Sequence, residues 1–405
     1  MTAVAARPFA DVGATPARPA RTRVESVDVV RGVIMILMAL DHTRDYFGDV
    51  TASPANLATT TVALFFTRWI THFCAPVFFL LTGTGAYLAL ARRGRAGLSR
   101  FLLTRGLWLI VLELTVMRFL WQFNVDYRLT LLTVLWALGW SMIVLAALVW
   151  LPASVTTAIG AVMIVTHNLL DAVTPASLGV LARAVAVLHA PSMLLPGEHT
   201  VFSTYVLVPW VGVTAVGYGL GQLFTWPTER RRAFLSRLGV GCIMAFVVLR
   251  TVNLYGDPLK WSPQRSALFT LMSFINANKY PPSLLFLLMT LGPALLLMRA
   301  VDGRTPDWLR PALIIGRVPL FYFMMHVLLI HLATVVASYA RYGTAHWMVE
   351  SPTLDRFPVT QPPGWPVPLP VVYLVWIGVV LALYPMCRWF AALKARRSDV
   401  WLSYL

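Results

Sequence analysis

The sequence predicts an all-α fold, a polytopic integral membrane helical bundle of about ten transmembrane helices. Two observations carry this expectation and a third orients the chain. Hydrophobic residues fill 58% of the 405 positions and charged residues only 12%, against about 25% charged in a soluble domain. Apolar runs of roughly 18 residues or more recur along the chain, long enough to cross lipid as helices. They lack the alternation expected of membrane barrel strands. The basic excess, a net charge of +16, is gathered into short segments between the apolar runs.

Taken in order, residues 1–22 are rich in Ala, Arg and Pro and contain no apolar signal region, so they read as a disordered cytoplasmic tail. Residues 23–405 form one transmembrane domain. Its spans are expected at 27–47, 73–91, 101–120, 130–151, 154–171, 202–224, 234–254, 281–299, 311–338 and 369–391. Residues 58–72 are apolar but interrupted by Arg68 and His72, and are expected to lie along the interface before the second span enters at Pro76.

Charge orients these spans. Arg92, Arg93, Arg95 and Arg100, then Arg230, Arg231 and Arg232, the loop 299–310, and the tail with Arg388, Lys394, Arg396 and Arg397 all follow even-numbered spans. Short basic loops stay cytoplasmic during insertion, which places both termini in the cytoplasm; the protein is expected to be integral to the plasma (inner) membrane. The same distribution leaves no basic surface domain for nucleic acid. The longer outer loops carry Trp261, Trp347, Trp365 and many prolines, as interfacial anchors or as a roof over a site that opens outward. Cys74, Cys242 and Cys387 have no CxxC spacing and read as buried apolar side chains.

An ionisable side chain at bilayer depth is costly unless paired or wet, so each is a candidate for function. The first span is the densest, with Arg31, Asp41, His42, Arg44 and Asp45. Eleven residues separate Arg31 from His42, which returns them to nearly the same helix face, roughly 16 Å apart along the axis. Met35, Met38 and Asp45 share that face. Asp41 and Asp45 are expected to orient the His42 imidazole and hold its proton affinity near neutrality. Glu113, Arg118, His167, Asn168, Arg250, Lys279, Arg317, His326 and His331 are further ionisable or polar residues in or beside the spans. His326 and His331 are five apart, and no His-Glu-x-x-His motif occurs, so no metal site is expected.

The stretch Arg23-Val24-Glu25-Ser26-Val27-Asp28-Val29-Val30-Arg31-Gly32 followed by His42 resembles the opening of two related groups of membrane acyltransferases. One is the integral-membrane sugar O-acyltransferases, marked by an Arg, ten residues and a His. The other is the heparan-α-glucosaminide N-acetyltransferase catalytic-domain family, whose bacterial branch has segments similar to Leu40-Asp41-His42-Thr43-Arg44-Asp45-Tyr46-Phe47, Pro209-Trp210-Val211-Gly212, Lys279-Tyr280-Pro281-Pro282-Ser283, Gly316-Arg317-Val318-Pro319 and Trp401-Leu402-Ser403-Tyr404-Leu405. The resemblance implies a transmembrane acyltransferase-like domain that moves an acyl group, usually acetyl, from cytosolic acyl-CoA to a glycan or other envelope acceptor. No tightly bound cofactor is expected, acetyl-CoA or another acyl-CoA being the co-substrate.

On that reading Arg31 binds the donor, because a guanidinium grips phosphate through paired hydrogen bonds. His42 is the base or the acyl relay, with Asp41 beside it. Asp45, Lys279, Arg250, Arg317, Asn168 and His326 are the expected substrate contacts, with Arg250, Arg317 or Asn168 as donors to the thioester oxygen. The animal enzymes carry Asn in place of His42 and their key His in the following outer loop, whereas Gly48 to Thr61 contains no His. The choice between base and relay therefore stays open. The competing reading is a transporter or flippase with a buried Arg/Asp/His pathway, against which stands the lack of an internal repeat. A third is a non-catalytic partner on the same fold.

Overall fold

A computed structural model describes residues 24–173, 179, 181–397, 399, 402 and 404. The expected tail at 1–22 lies outside these residues, as does most of the terminal segment from Trp401 to Leu405. Helix makes up 72% of the structure. In chain order the helices are α1 (Glu25–Phe47), α2 (Val62–Thr71), α3 (Cys74–Leu112), α4 (Arg118–Gln122), α5 (Val134–Leu148), α6 (Ala153–Thr166), α7 (Ala182–Leu188), α8 (Leu207–Leu220), α9 (Thr228–Val252), α10 (Ala267–Ile275), α11 (Leu284–Val301), α12 (Arg310–Gly316), α13 (Pro319–Tyr342) and α14 (Leu369–Arg396).

Among the described residues seven helical stretches are long and apolar enough to cross a membrane. Three local features separate that number from the expected ten. α1 is long enough but carries Glu25, Asp28, Arg31, Asp41, Arg44 and Asp45. The spans expected at 73–91 and 101–120 are two helices that run on from each other across a kink at Gly94, whose φ of 65° leaves the helical region, so the continuous stretch α3 counts once. The span expected from residue 130 begins as a strand and becomes helix at Val134.

That strand belongs to a small sheet, so the fold is not purely helical. β1 (Leu129–Leu132) runs parallel to β3 (Thr200–Ser203), and β2 (Ser192–Leu195) pairs antiparallel to β3. Glu113 supports this junction from a π-turn at Glu113–Met117 that continues α3. Its Oε1 accepts the backbone N–H of Thr133 (3.0 Å) and the Thr133 hydroxyl. The carboxylate thus caps α5 instead of pairing with an arginine.

Lipid gives no hydrophobic drive for one apolar helix to join another, so close backbone approach through small residues does much of the packing. Gly106 of α3 meets Gly139 of α5, and a Cβ on either would lie 2.6 Å from the other's carbonyl oxygen. Ser99 Oγ donates to the Ala146 carbonyl (2.7 Å) further along the same pair, which makes the two segments antiparallel. By the same kind of contact the first half of α3 runs parallel to α8, through Gly83 and Gly217. α6 is antiparallel to α8 and α9 to α11.

α1 sits among α12, α13, α14, α3 and α2. Its Gly32 faces Ala312 of α12 so closely that a Cβ would lie 1.7 Å from that carbonyl oxygen, and a Cβ on Gly316 would lie 1.8 Å from Asp28 O. The span expected at 311–338 is broken here. Pro319 lacks an N–H and restricts the residue before it, so α12 stops at Gly316 and α13 starts afresh at Pro319, with Val318 at φ −134° and ψ 51° between them.

The C-terminal end of α1 is closed by the loop before α14. Gln361 Nε2 donates to Gly48 O (2.7 Å), Trp365 Nε1 to Tyr46 O (2.9 Å) and Val367 N to Phe47 O (2.9 Å). Carbonyls at a helix C-terminus have no partner within the helix, and this loop supplies one to Tyr46 and Phe47 and to Gly48 just beyond them.

Candidate functional site in the first helix

α1 places Arg31 and His42 on one face, as the spacing predicts, with Met35 and Met38 buried between them. Arg31 Nη1 donates to Asp28 Oδ1 (2.9 Å) and to the Gly316 carbonyl (3.2 Å). The second acceptor exists because the helix break frees that carbonyl, and a helix C-terminus carries partial negative charge. Arg317, one residue on, stands 3.7 Å from Glu25. Two of the expected contacts, Arg31 and Arg317, therefore share this end of α1.

At the other end His42 Nδ1 lies 2.6 Å from His326 Nε2, with the two rings 12° from parallel. His326 is fully buried, and its Nδ1 is 2.9 Å from the carbonyl of Tyr322, one turn earlier on α13. A carbonyl only accepts, so His326 Nδ1 carries the hydrogen. In the neutral pair its Nε2 is then the lone-pair nitrogen, His42 Nδ1 must donate to it, and His42 Nε2 is left as a lone pair. Among the described residues, His42 Nε2 has no hydrogen-bond partner.

The group that orients His42 is therefore His326, not Asp41. Adjacent residues on a helix point about 100° apart, so Asp41 faces a different neighbour. Arg68 of α2 donates to both of its oxygens (2.6 and 2.5 Å), and Arg44 Nη2 donates to Asp41 Oδ1 (2.9 Å) and Asp45 Oδ1 (2.5 Å). In the sequence Arg68 stands out only as an interruption of an apolar stretch.

Beyond this ion-pair cluster lies a cavity of about 280 Å³. Arg44, Asp45, Arg68, His72, Lys279 and Tyr280 contribute to its walls, together with Phe357. Asp45 and Lys279 thus meet in one place. His42 is not on the lining; Phe357 contacts Trp121 (centroids 5.5 Å), and Trp121 sets its ring edge-on to His42 (4.8 Å, 76°).

Two expected contacts stand elsewhere. Arg250 is 1% exposed and donates to the carbonyls of Phe274, Leu259, Ser273 and Asn276 at 2.7–3.1 Å. It pins the loop around α10, and those bonds occupy its Nε and both terminal nitrogens. Asn168 bridges Asp171 (2.8 Å) and the backbone N–H of Leu284 (2.9 Å), fixing the start of α11. His331 likewise holds backbone, with Leu120 O at 2.9 Å and Met348 O at 2.6 Å. Among the described residues no group of three or more His, Cys, Asp or Glu side chains is placed to hold a metal ion.

A bundle of apolar helices around one charged helix, with an arginine toward one end and a histidine pair toward the other, defines a polytopic membrane protein with a polar centre in its first helix. The family model for heparan-alpha-glucosaminide N-acetyltransferase, catalytic, matches residues 23–254, more than half of the chain. The chain belongs to that family, which is one of transmembrane acetyltransferases. No curated protein was found to match it. The matched region contains Arg31 and His42 and ends well before His326.

Proposed function

We propose that this protein transfers an acyl group, acetyl in the simplest case, from a cytosolic acyl-CoA to a glycan or other acceptor at the outer face of the plasma membrane. One observation carries the reading: the His42–His326 pair leaves a lone pair on His42 Nε2, on the same helix face as an arginine roughly 16 Å away. Arg31, with Arg317 beside it, takes the phosphates of the donor. His42 acts as general base on the acceptor hydroxyl or amine, and His326 holds it in the required tautomer. The cavity lined by Asp45 and Lys279 is the acceptor's entry, with Phe357 and Trp121 standing between it and His42. Family membership supports acetyl-CoA as the donor.

The helix directions support this orientation. α1 runs parallel to α13 and antiparallel to α14, as spans one, nine and ten of an alternating series would. With the basic segments between spans on the cytoplasmic side, Arg31 faces the cytoplasm in this proposal, along with both termini.

The test is labelled acetyl-CoA with purified protein in lipid nanodiscs and a panel of amino and neutral sugars, comparing wild type with His42→Ala and Arg31→Ala. Transfer by wild type that is lost in His42→Ala supports the reading, and transfer that survives loss of His42 overturns the role given to it. The second reading, a transporter or flippase, draws on the helix break at Gly316–Pro319, since transporters bind substrate at broken helices. Substrate counterflow in proteoliposomes without acyl-CoA would favour it.

A further inference from the structure

We infer that the indole N–H of Trp121 is the hydrogen-bond donor to the carbonyl oxygen of the acyl group during transfer. The inference rests on the acyl-transfer reading and supplies what that reading lacks, a donor for the charge that develops on the thioester oxygen. Arg250 and Asn168 are spent on structure, and Arg317 lies at the other end of α1.

Trp121 is 7% exposed, and its Nε1 is buried with no hydrogen-bond partner among the described residues. A buried N–H left unpaired costs about 1–3 kcal/mol, so its persistence calls for a reason. Trp69, Trp136, Trp140 and Trp210 share the condition. Of the five, Trp121 alone among the described residues is in ring contact with His42.

Its ring is also held. The Trp121 carbonyl accepts the Tyr46 hydroxyl at 2.7 Å, and the indole lies 5° from parallel to the Tyr46 ring with Phe357 against it at 5.5 Å. An unpaired donor, Trp121 Nε1, and an unpaired acceptor, His42 Nε2, thus belong to two rings in edge-on contact. A reacting pair satisfies both at once, the acceptor's O–H or N–H facing His42 and the thioester C=O facing Trp121.

The step balances with no other reactant. As the acceptor's O or N forms a bond to the thioester carbon, His42 Nε2 takes its proton and the C=O π pair moves onto oxygen, where Trp121 Nε1–H meets it. The oxyanion re-forms the carbonyl, the C–S bond breaks, and the leaving thiolate takes the proton back from His42. The products are the acylated acceptor and the free thiol of CoA.

The test replaces Trp121 with 3-benzothienylalanine, which exchanges N–H for sulfur in a ring of the same shape, and in parallel makes Trp121→Phe. Steady-state rates use radiolabelled acetyl-CoA with the sugar panel in nanodiscs. The expected result is a fall in kcat of about 10²–10³-fold in both variants, with KM for acetyl-CoA unchanged and the benzothienyl variant melting at the wild-type temperature. If Trp121→Phe does not fold, the benzothienyl variant decides. A wild type that transfers, with the benzothienyl variant retaining its kcat, overturns the role of Trp121 alone. A wild type that transfers nothing overturns the acyl-transfer reading, and this inference with it.

Discussion

His42 Nδ1 and His326 Nε2 stand 2.6 Å apart, joining residues 284 positions distant in sequence. Because Tyr322 O occupies the other nitrogen of His326, the pair has one neutral arrangement, and that arrangement aims a lone pair of His42 away from both rings. An acid–base group that needs a second residue to choose its tautomer behaves differently under substitution from one that works alone.

His326→Phe is expected to lower kcat by about 10²–10⁴-fold while leaving KM for acyl-CoA in place. His326→Gln, whose amide oxygen can still accept from His42 Nδ1, should recover part of the loss. Equal activity in Phe and Gln variants of equal thermal stability would show that the hydrogen bond does not position His42.

Asp41→Asn is expected to act first on stability. Its carboxylate answers Arg68 and Arg44 with side chains almost buried, and removing one partner of such a cluster costs about 3–5 kcal/mol. Adding Arg68→Gln should restore part of the lost melting temperature. A variant that melts normally but has lost kcat would return Asp41 to the chemistry.

Arg31→Lys should raise KM for the donor by about tenfold with a smaller change in kcat, because an ammonium lacks the fork that pairs with phosphate. Its measurement is a donor titration at saturating acceptor. An unchanged donor KM would detach Arg31 from acyl-CoA binding.

Gly316→Ala is expected to destabilise the protein by about 1–3 kcal/mol or more, since the new Cβ meets the backbone oxygen of Asp28, which has no rotamer to escape into. Gly241→Ala is the control: nothing lies within 4 Å of its Cβ position, and helix propensity favours Ala by about 1 kcal/mol. Thermal melts in detergent should therefore move in opposite directions.

Much of this was legible in the sequence wherever the signal is local. The apolar runs marked most of the helices, and the eleven-residue step put Arg31 and His42 on one face. The charge of α1 and its placement among other helices follow from the same segment. The strand at Leu129–Leu132 was not visible, because its apolar residues read equally well as the start of a span. His326 was noticed as ionisable, but its pairing with His42 depends on α1 and α13 meeting in space. Arg250 misled for a different reason: its partners are four carbonyls, and backbone acceptors leave no mark in a sequence. Trp121 carries no sequence signal, since tryptophan is common in membrane proteins and its contact with His42 exists only once α1 and α4 meet.

The three bonds from Gln361, Trp365 and Val367 to the last carbonyls of α1 bear on how the site exchanges its reactants. They staple the C-terminal end of this helix to a loop that leads directly into α14, so rocking that end away from the loop would sever all three together. In the proposed two-sided transfer, the acceptor then passes around a stationary helix near His42, while the donor enters from the Arg31 end. Entry of the two reactants at separate ends of α1, as proposed, lets either arrive or depart first. The expected rate law is a random sequential one, in which occupancy at one end leaves the affinity at the other untouched.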